Sequence, residues 1–352
     1  MRLSALALTL FLAASAHAAA PTEAELDAAN PVKPLPGKLA GHDQGVDQLP
    51  NKPDPEKVRL GRWLYFDKRM SGDNTVACAT CHEPASGFSQ KTPVSTGIKG
   101  QKGARKAPSF LNAVYAFFPE QFWDGRAKSL EEQAKGPIAN PIEMGNTHDG
   151  CCSTIGQIKG YAPFFKKAFG DDKVSIDHIA AAIADYERTR ISGNSPYDKW
   201  KAAHGKGSAD DALMKLGEDL FFNKAKCTAC HVGNAFTDSR FHNIGIGFDP
   251  KTGKFADEGR GKITGKADEI GAFKTPGLRD VALHAPYMHD GSMATLEEVV
   301  DHYDKGGTPN PHLDQKMEKL NLTADEKKAL VEFMKSLTGE GYMDEEPKIF
   351  PQ

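Results

Sequence analysis

Apolar positions along this chain recur at helical rather than strand spacing. Between Asp177 and Arg190, the residues Ile179, Ile183 and Tyr186 fall on one helical face, which predicts a helix there. Thr323-Ala324-Asp325-Glu326 has the form of a capping box and predicts a last helix through Leu337, closed by Gly339. Runs of alternating apolar and polar residues are scarce. Two stretches repeat one another. Leu60-Gly61-Arg62-Trp63-Leu64-Tyr65-Phe66-Asp67 precedes Cys78-Ala79-Thr80-Cys81-His82, with Gly87-Phe88-Ser89 beyond. Leu216-Gly217-Glu218-Asp219-Leu220-Phe221-Phe222-Asn223 precedes Cys227-Thr228-Ala229-Cys230-His231, with Ala235-Phe236-Thr237 beyond. Each unit reads as a short helix delivering the chain to a Cys-x-x-Cys-His site, and the repetition predicts two homologous, mainly α-helical domains.

The first residues read differently. Arg2 is followed by an apolar run from Leu3 to Ala14 and by Ala16-His17-Ala18, the small-x-small pattern of a cleaved export signal. Residues 1–18 are therefore expected to be a signal peptide, and the mature protein to work in the periplasm. Seven prolines from Pro21 to Pro55 predict an extended arm over residues 19–55. The two domains that follow are expected at 56–195 and 196–345. No later stretch is apolar for long enough to cross a membrane as a helix. A formal charge of −3 on 352 residues gives no electrostatic footprint for nucleic acid.

Cys-x-x-Cys-His is the attachment motif of c-type haem. The two sulfurs bond the porphyrin, and the adjacent histidine faces the iron. Zinc is a competing reading, but neither motif has a second Cys/His pair nearby. A thioredoxin-like disulfide needs no following histidine and would hardly occur twice. Two covalent haem c groups are expected, on Cys78, Cys81 and His82 and on Cys227, Cys230 and His231, in two cytochrome c-like modules. The opposite face of each iron decides its chemistry, since an iron with an open face binds peroxide and one with two strong ligands transfers electrons. Between His82 and His148 there is no histidine and no methionine but Met144. That stretch supplies Gln133 and Glu143 on either side of Gly136-Pro137. A carboxylate there would move the proton that lets the O–O bond break heterolytically; the bland alternative for Glu143 is a surface acid.

These residues resemble the bacterial di-haem cytochrome c peroxidases and their MauG relatives. The resemblance runs from residue 56 to 339 and is carried by Gln121-Phe122-Trp123-Asp124-Gly125-Arg126, Glu132-Gln133-Ala134-Lys135-Gly136-Pro137, Ile142-Glu143-Met144, Phe241-His242-Asn243-Ile244-Gly245 and Ala285-Pro286-Tyr287-Met288-His289-Asp290-Gly291-Ser292. It implies two helical cytochrome c domains with their haems facing one interface. His82 would be proximal ligand to the peroxide-reactive haem, Glu143 and Gln133 would line its distal pocket, and Pro137 would pack over that face. Trp123 would lie between the haems and carry an electron or hole; its bland reading is a core indole.

Three departures matter. Ile98 stands where reductively activated peroxidases place a loop histidine, so the first site is expected to be open without prior reduction. Tyr303 stands where those enzymes place a methionine, as in MauG-type members. A phenolate ligand opposite His231 should lower the haem potential, whereas a thioether would raise it; Met288 and Met293 remain alternative ligands. Lys106 stands where the family has a calcium-ligating asparagine. Lysine cannot ligate calcium and its ammonium would replace the ion's charge, which puts Ca²⁺ in question.

The implied function is hydrogen peroxide activation, with the oxidising equivalents shared through Trp123 and spent on a redox partner or a protein substrate. The alternatives are peroxide reduction to water with electrons from a small cytochrome c or cupredoxin, and a non-enzymatic di-haem electron carrier. A second copy of the chain is also an admissible partner. Cys151-Cys152 lies outside both motifs and is expected as a vicinal disulfide or a cross-link to another chain. His42, His148, His178, His204 and His312 read as surface residues, His242 and His289 as structural ones.

Overall fold

The computed structural model describes residues 19–116, 119–203 and 211–352. The expected signal peptide and His204 lie outside the described residues. The protein is mainly helical, and it is organised around two hydrophobic clusters, one for each Cys-x-x-Cys-His unit.

The arm is not wholly extended. Thr22 caps a short helix α1 (Glu23–Ala29) through a capping box with Glu25, and Leu26 buries itself in the first cluster. Asp54 then caps α2 (Pro55–Phe66), accepting the amides of Glu56 and Lys57, with Pro55 in the first helical position where no amide is needed. Four further helices build the first cluster around α3 (Cys78–Cys81): α4 (Leu130–Ala139), α5 (His148–Gln157), α6 (Ala162–Phe169) and α7 (Ile176–Arg188). The helix expected over Asp177–Arg190 is α7, and Ile179, Ile183 and Tyr186 all face the core. In the second half come α8 (Pro196–Ala202), α9 (Ala212–Phe222), α10 (Arg260–Thr264), α11 (Leu296–Asp304) and α12 (Ala324–Lys335). Thr323 and Glu326 form the expected capping box of α12, which ends at Ser336. Strand content is small. β1 (Phe241–His242) pairs antiparallel with β4 (Phe273–Lys274), and β2 (Phe248–Asp249) with β3 (Lys254–Phe255).

The repeated Leu-Gly explains how each half closes. A Cβ on Gly61 would sit 1.9 Å from the Ala182 carbonyl oxygen of α7, and one on Gly217 would sit 2.0 Å from the Ala329 carbonyl oxygen of α12. In both halves glycine lets the helix before the motif touch the backbone of the helix that ends the unit.

The arm and the C-terminal tail tie the halves together, beside a buried ion pair of the second half. Arg279 grips Asp198 through Nη1 at 2.7 Å and Nη2 at 3.0 Å, both side chains being almost wholly buried. The Arg279 Nη2 also donates to the Gly41 carbonyl of the arm. Next to it, His42 is buried rather than exposed as the sequence suggested, because the arm lies over the junction. Its Nε2 donates to the Ser192 carbonyl at 2.7 Å and its ring stacks on Tyr115. The C-terminal tail returns to the first half: Tyr342 joins the first cluster, Arg62 pairs with Asp344, and the Trp63 indole donates to the Ile349 carbonyl.

Candidate active site

Both motif histidines are held in the same way. Nδ1 of His82 donates to the Phe88 carbonyl at 3.1 Å, and Nδ1 of His231 donates to the Phe236 carbonyl at 2.8 Å. Phe88 and Phe236 have φ of +55° and +54°, so in each unit the loop doubles back on its own histidine. Burial pushes both imidazoles down, keeping them neutral. With Nδ1 engaged, Nε2 is the nitrogen left for a metal, and the carbonyl partner fixes the ring's orientation. The Phe that follows each motif is therefore a supporting residue. The sequence showed it as a repeat but not as a hydrogen-bond acceptor.

Cys227, Cys230 and His231 open onto an apolar cavity of roughly 1730 Å³, counting its mouth. Ile246, Leu278, Val300, Leu330 and Met334 supply much of its wall. Tyr303 lines the same cavity, and burial pushes its phenol well up. Met288 lines the wall too, whereas Met293 packs against the second hydrophobic cluster. Two thiols, a neutral imidazole with a free nitrogen, and apolar walls fit a covalently attached haem. So do the ring nitrogens of His284, buried on that wall with no hydrogen-bond partner in the protein.

Near the first motif, Pro137 and Glu143 lie on the end of α4 and the loop that follows it. Gln133 and Pro137 are one turn apart on α4, hence on one face. The chain then turns at Asn140, and the Met144 amide returns to the Pro137 carbonyl at 3.2 Å. Glu143 is half-buried, its Oε1 accepting from Asn140 Nδ2 at 2.8 Å. Burial raises its pKa, with Arg126 and Asn140 pulling the other way. Its charge is felt by the Cys81 thiol, which places the acid near the attachment point of the first motif. Ile98 is buried beside it, its amide donating to the Glu143 carbonyl at 2.8 Å.

Trp123 lies on the wall of the second site. Its indole donates to the Lys106 carbonyl at 2.8 Å, and its ring lines the His231 cavity. The segment it bonds continues to Phe110, whose ring lies 5.7 Å from that of His82. Lys106 is buried and its ammonium donates to the Gln90 carbonyl. His242, expected as structural, is clamped by Asp314 at 2.6 Å and Asp238 at 3.0 Å. Burial opposes its charge, but Cys230 and the two acids outweigh that and hold its pKa at about 9.

Two expectations at this level change. His148 caps nothing on the surface; its Nε2 donates to the Lys135 carbonyl at 3.0 Å and the ring is half-buried. Cys151 and Cys152 are consecutive residues of α5, where side chains diverge by about 100°. A vicinal disulfide does not fit that helix, and Cys151 is buried in the first cluster.

The comparisons with known proteins agree with this geometry. A family described as di-haem cytochrome c peroxidase matches residues 55–206. The methylamine utilization protein MauG of Methylorubrum extorquens is 42% identical over 289 residues, covering 81% of this chain and 79% of that protein. The cytochrome c551 peroxidase of Nitrosomonas europaea is 38% identical, covering 81% of this chain and 80% of that protein. Among solved structures, a MauG-like protein associated with microbial copper homeostasis superposes with a TM-score of 0.74 at 32% identity, covering 89% of this chain and 95% of the other.

Proposed function

Since this chain belongs to the di-haem cytochrome c peroxidase family, which includes the MauG proteins, we propose that it activates hydrogen peroxide at the His82 site without prior reduction and shares the oxidising power with the His231 site. The protein is a peroxidase-type oxidoreductase, and the family implies haem c at both motifs. Haem c, which Cys78, Cys81 and His82 and Cys227, Cys230 and His231 would hold, would supply the redox change. The chain's own residues supply the rest.

Glu143 takes the proton from the inner oxygen of peroxide and delivers it to the outer one, which leaves as water. Gln133 orients the peroxide by hydrogen bonding, and Pro137 closes the pocket beside it. Trp123 passes an electron from the His231 site to the His82 site. Tyr303, which lines the His231 cavity, would hold the second haem as a hard anionic donor and favour its oxidised state. The observation that carries this reading is the half-buried acid beside Cys81, in a loop closed by the aliphatic Ile98 rather than by a histidine. The oxidising equivalents go to a small electron-transfer protein or to a side chain of a protein substrate in the periplasm. The relatives named as cytochrome c peroxidases support a second reading, in which the same site reduces peroxide to water at the expense of a small cytochrome c or cupredoxin.

The test is stoichiometric peroxide added to the fully oxidised protein, followed by stopped-flow absorbance and freeze-quench Mössbauer spectroscopy. Rapid oxidation of both irons supports the proposal. Reaction only after one haem has been reduced overturns the open-site reading and leaves the second one.

A further inference from the structure

One wall of the His231 cavity carries a charged group with no ion partner. Lys106 is 4% exposed, and its ammonium has three N–H groups, of which one donates to the Gln90 carbonyl. Among the described residues no carboxylate lies within ion-pair distance of it, Glu83 being the acid it senses from further away. Of the other lysines on the wall, Lys226 is paired with Glu318, and Lys316 and Lys274 donate to the Ala229 and Glu120 carbonyls; Lys106 is the one among these four that is buried. Along the same wall lies His284, both of its ring nitrogens buried and without a partner. Burial and then the charge of Lys106 push its imidazole down to about 4, so it is neutral and has an N–H to give.

A buried ammonium with idle donors and a buried imidazole with no bond at all are each costly alone. Both line one cavity and lie within electrostatic reach of each other, an arrangement suited to an anion. The group that this cavity is built to take brings anions with it. Haem has two propionate carboxylates, and the sulfurs of Cys227 and Cys230 bond its vinyl groups, leaving the propionates to find partners on the cavity wall.

We propose that Lys106 and His284 bind a propionate carboxylate of the haem attached to Cys227 and Cys230. The proposal rests on haem being bound in this cavity and not on the peroxide chemistry at the first site. Lys106 then has a positioning role. Its charge holds up the potential of the second haem, and its backbone carbonyl ties that charge to the Trp123 indole.

The experiment compares the holoprotein with Lys106→Met, Lys106→Arg and, as a control at an exposed position, Lys91→Met. Spectroelectrochemistry reads the two midpoint potentials, and resonance Raman reads the propionate bending modes. Removing a positive charge disfavours reduction. Lys106→Met should lower the reduction equilibrium of one haem at least tenfold, 59 mV for one electron, and move a propionate mode, while Lys106→Arg keeps the potential and moves the mode alone. Potentials and modes in Lys106→Met that match the wild type and Lys91→Met overturn the proposal. If Lys106→Met does not retain haem, Lys106→Arg decides: an unmoved propionate mode overturns it and a moved one supports it. None of these readings involves peroxide, so a failure here is distinct from a failure of the open-site reading.

Discussion

The amide of Ile98 donates to the carbonyl of Glu143 at 2.8 Å, so the loop that would otherwise cap the first iron is fastened to the backbone of the acid proposed to work there. The fastening is tight on both sides. A Cβ on Gly97 would meet the Glu143 Cα at 2.6 Å, and one on Gly145 would meet the Ile98 Cδ1 at 2.0 Å. The loop thus fixes the backbone that carries the carboxyl and sets the aliphatic Ile98 beside it.

Replacing Glu143 by Gln keeps the Asn140 contact but removes the proton carrier. Reaction with peroxide should slow by roughly 10²–10⁴-fold, with both haems still attached. Because burial raises the Glu143 pKa, the acid limb of the wild-type rate should fall above the ordinary glutamate value of about 4.3. Stopped-flow rates from pH 4 to 8, as a roughly chosen range, would show it. An unchanged rate in Glu143→Gln would return the residue to its bland reading as a surface acid.

Gly61→Ala and Gly217→Ala should each destabilise their own half by about 1–3 kcal/mol, since the new Cβ must push apart two helices in backbone contact. Thermal unfolding monitored separately at the two haem bands would show whether the cost is local. Equal stability in both variants would mean that the helices can re-pack.

The Leu-Gly pair was legible because its pattern is local and occurs twice, and the same holds for the haem motifs, the cap at Thr323 and the periodicity of α7. The Gly136-Pro137 and Ile142-Glu143 segments were legible for a related reason, as they lie within one turn and loop of each other. What joins distant segments was not legible. His42 looks like a surface residue until the arm is seen lying over Ser192 and Tyr115. Lys106 and His284 are 178 positions apart and nothing local marks either as buried; only the fold puts the ammonium of one within electrostatic reach of the other. The Phe carbonyls behind His82 and His231 fall between these cases. The repeat was visible, but its purpose depends on a positive φ that sequence does not announce for phenylalanine.

The Arg279–Asp198 pair makes the junction acid-sensitive. Burial pushes the Asp198 carboxyl up, but the Arg279 and Ser195 hydrogen bonds outweigh it and hold the pKa below the usual aspartate range. Its contribution to stability is therefore complete above the unfolded aspartate value of about 3.9 and is lost as pH falls through the lower folded value. Arg279→Met, which strands a buried carboxylate, should cost about 3–5 kcal/mol at neutral pH and flatten that acid transition. Urea unfolding at several pH values would measure both effects. A variant as stable as the wild type would mean that the pair is not needed to hold α8 and the arm against the second half.

Cys151 and Cys152, placed on one helix, are expected to be thiols. After denaturation without reductant, a thiol reagent should label both of them, the four motif cysteines being blocked as thioethers. In the native protein Cys152 should react first, since Cys151 is wholly buried. Mass spectrometry of the labelled peptide counts the modifications. A peptide that takes up no label until reductant is added would mean that α5 is distorted there to allow a bond.

Tyr303 and Met288 share the cavity with His231, and substitution separates their roles. An anionic oxygen donor favours the oxidised iron, a neutral thioether the reduced one. If Tyr303 is the ligand, Tyr303→Phe should raise the potential of the second haem by more than tenfold in the reduction equilibrium, about 59 mV per tenfold for one electron. Met288→Leu should leave the potential and the near-infrared ligand bands where they were. The opposite pattern would assign the iron to Met288. The direction of the Tyr303 shift also separates this role from that of Lys106. Losing the phenolate raises the potential, whereas losing the ammonium lowers it, so the double variant Tyr303→Phe/Lys106→Met should fall between the two single ones.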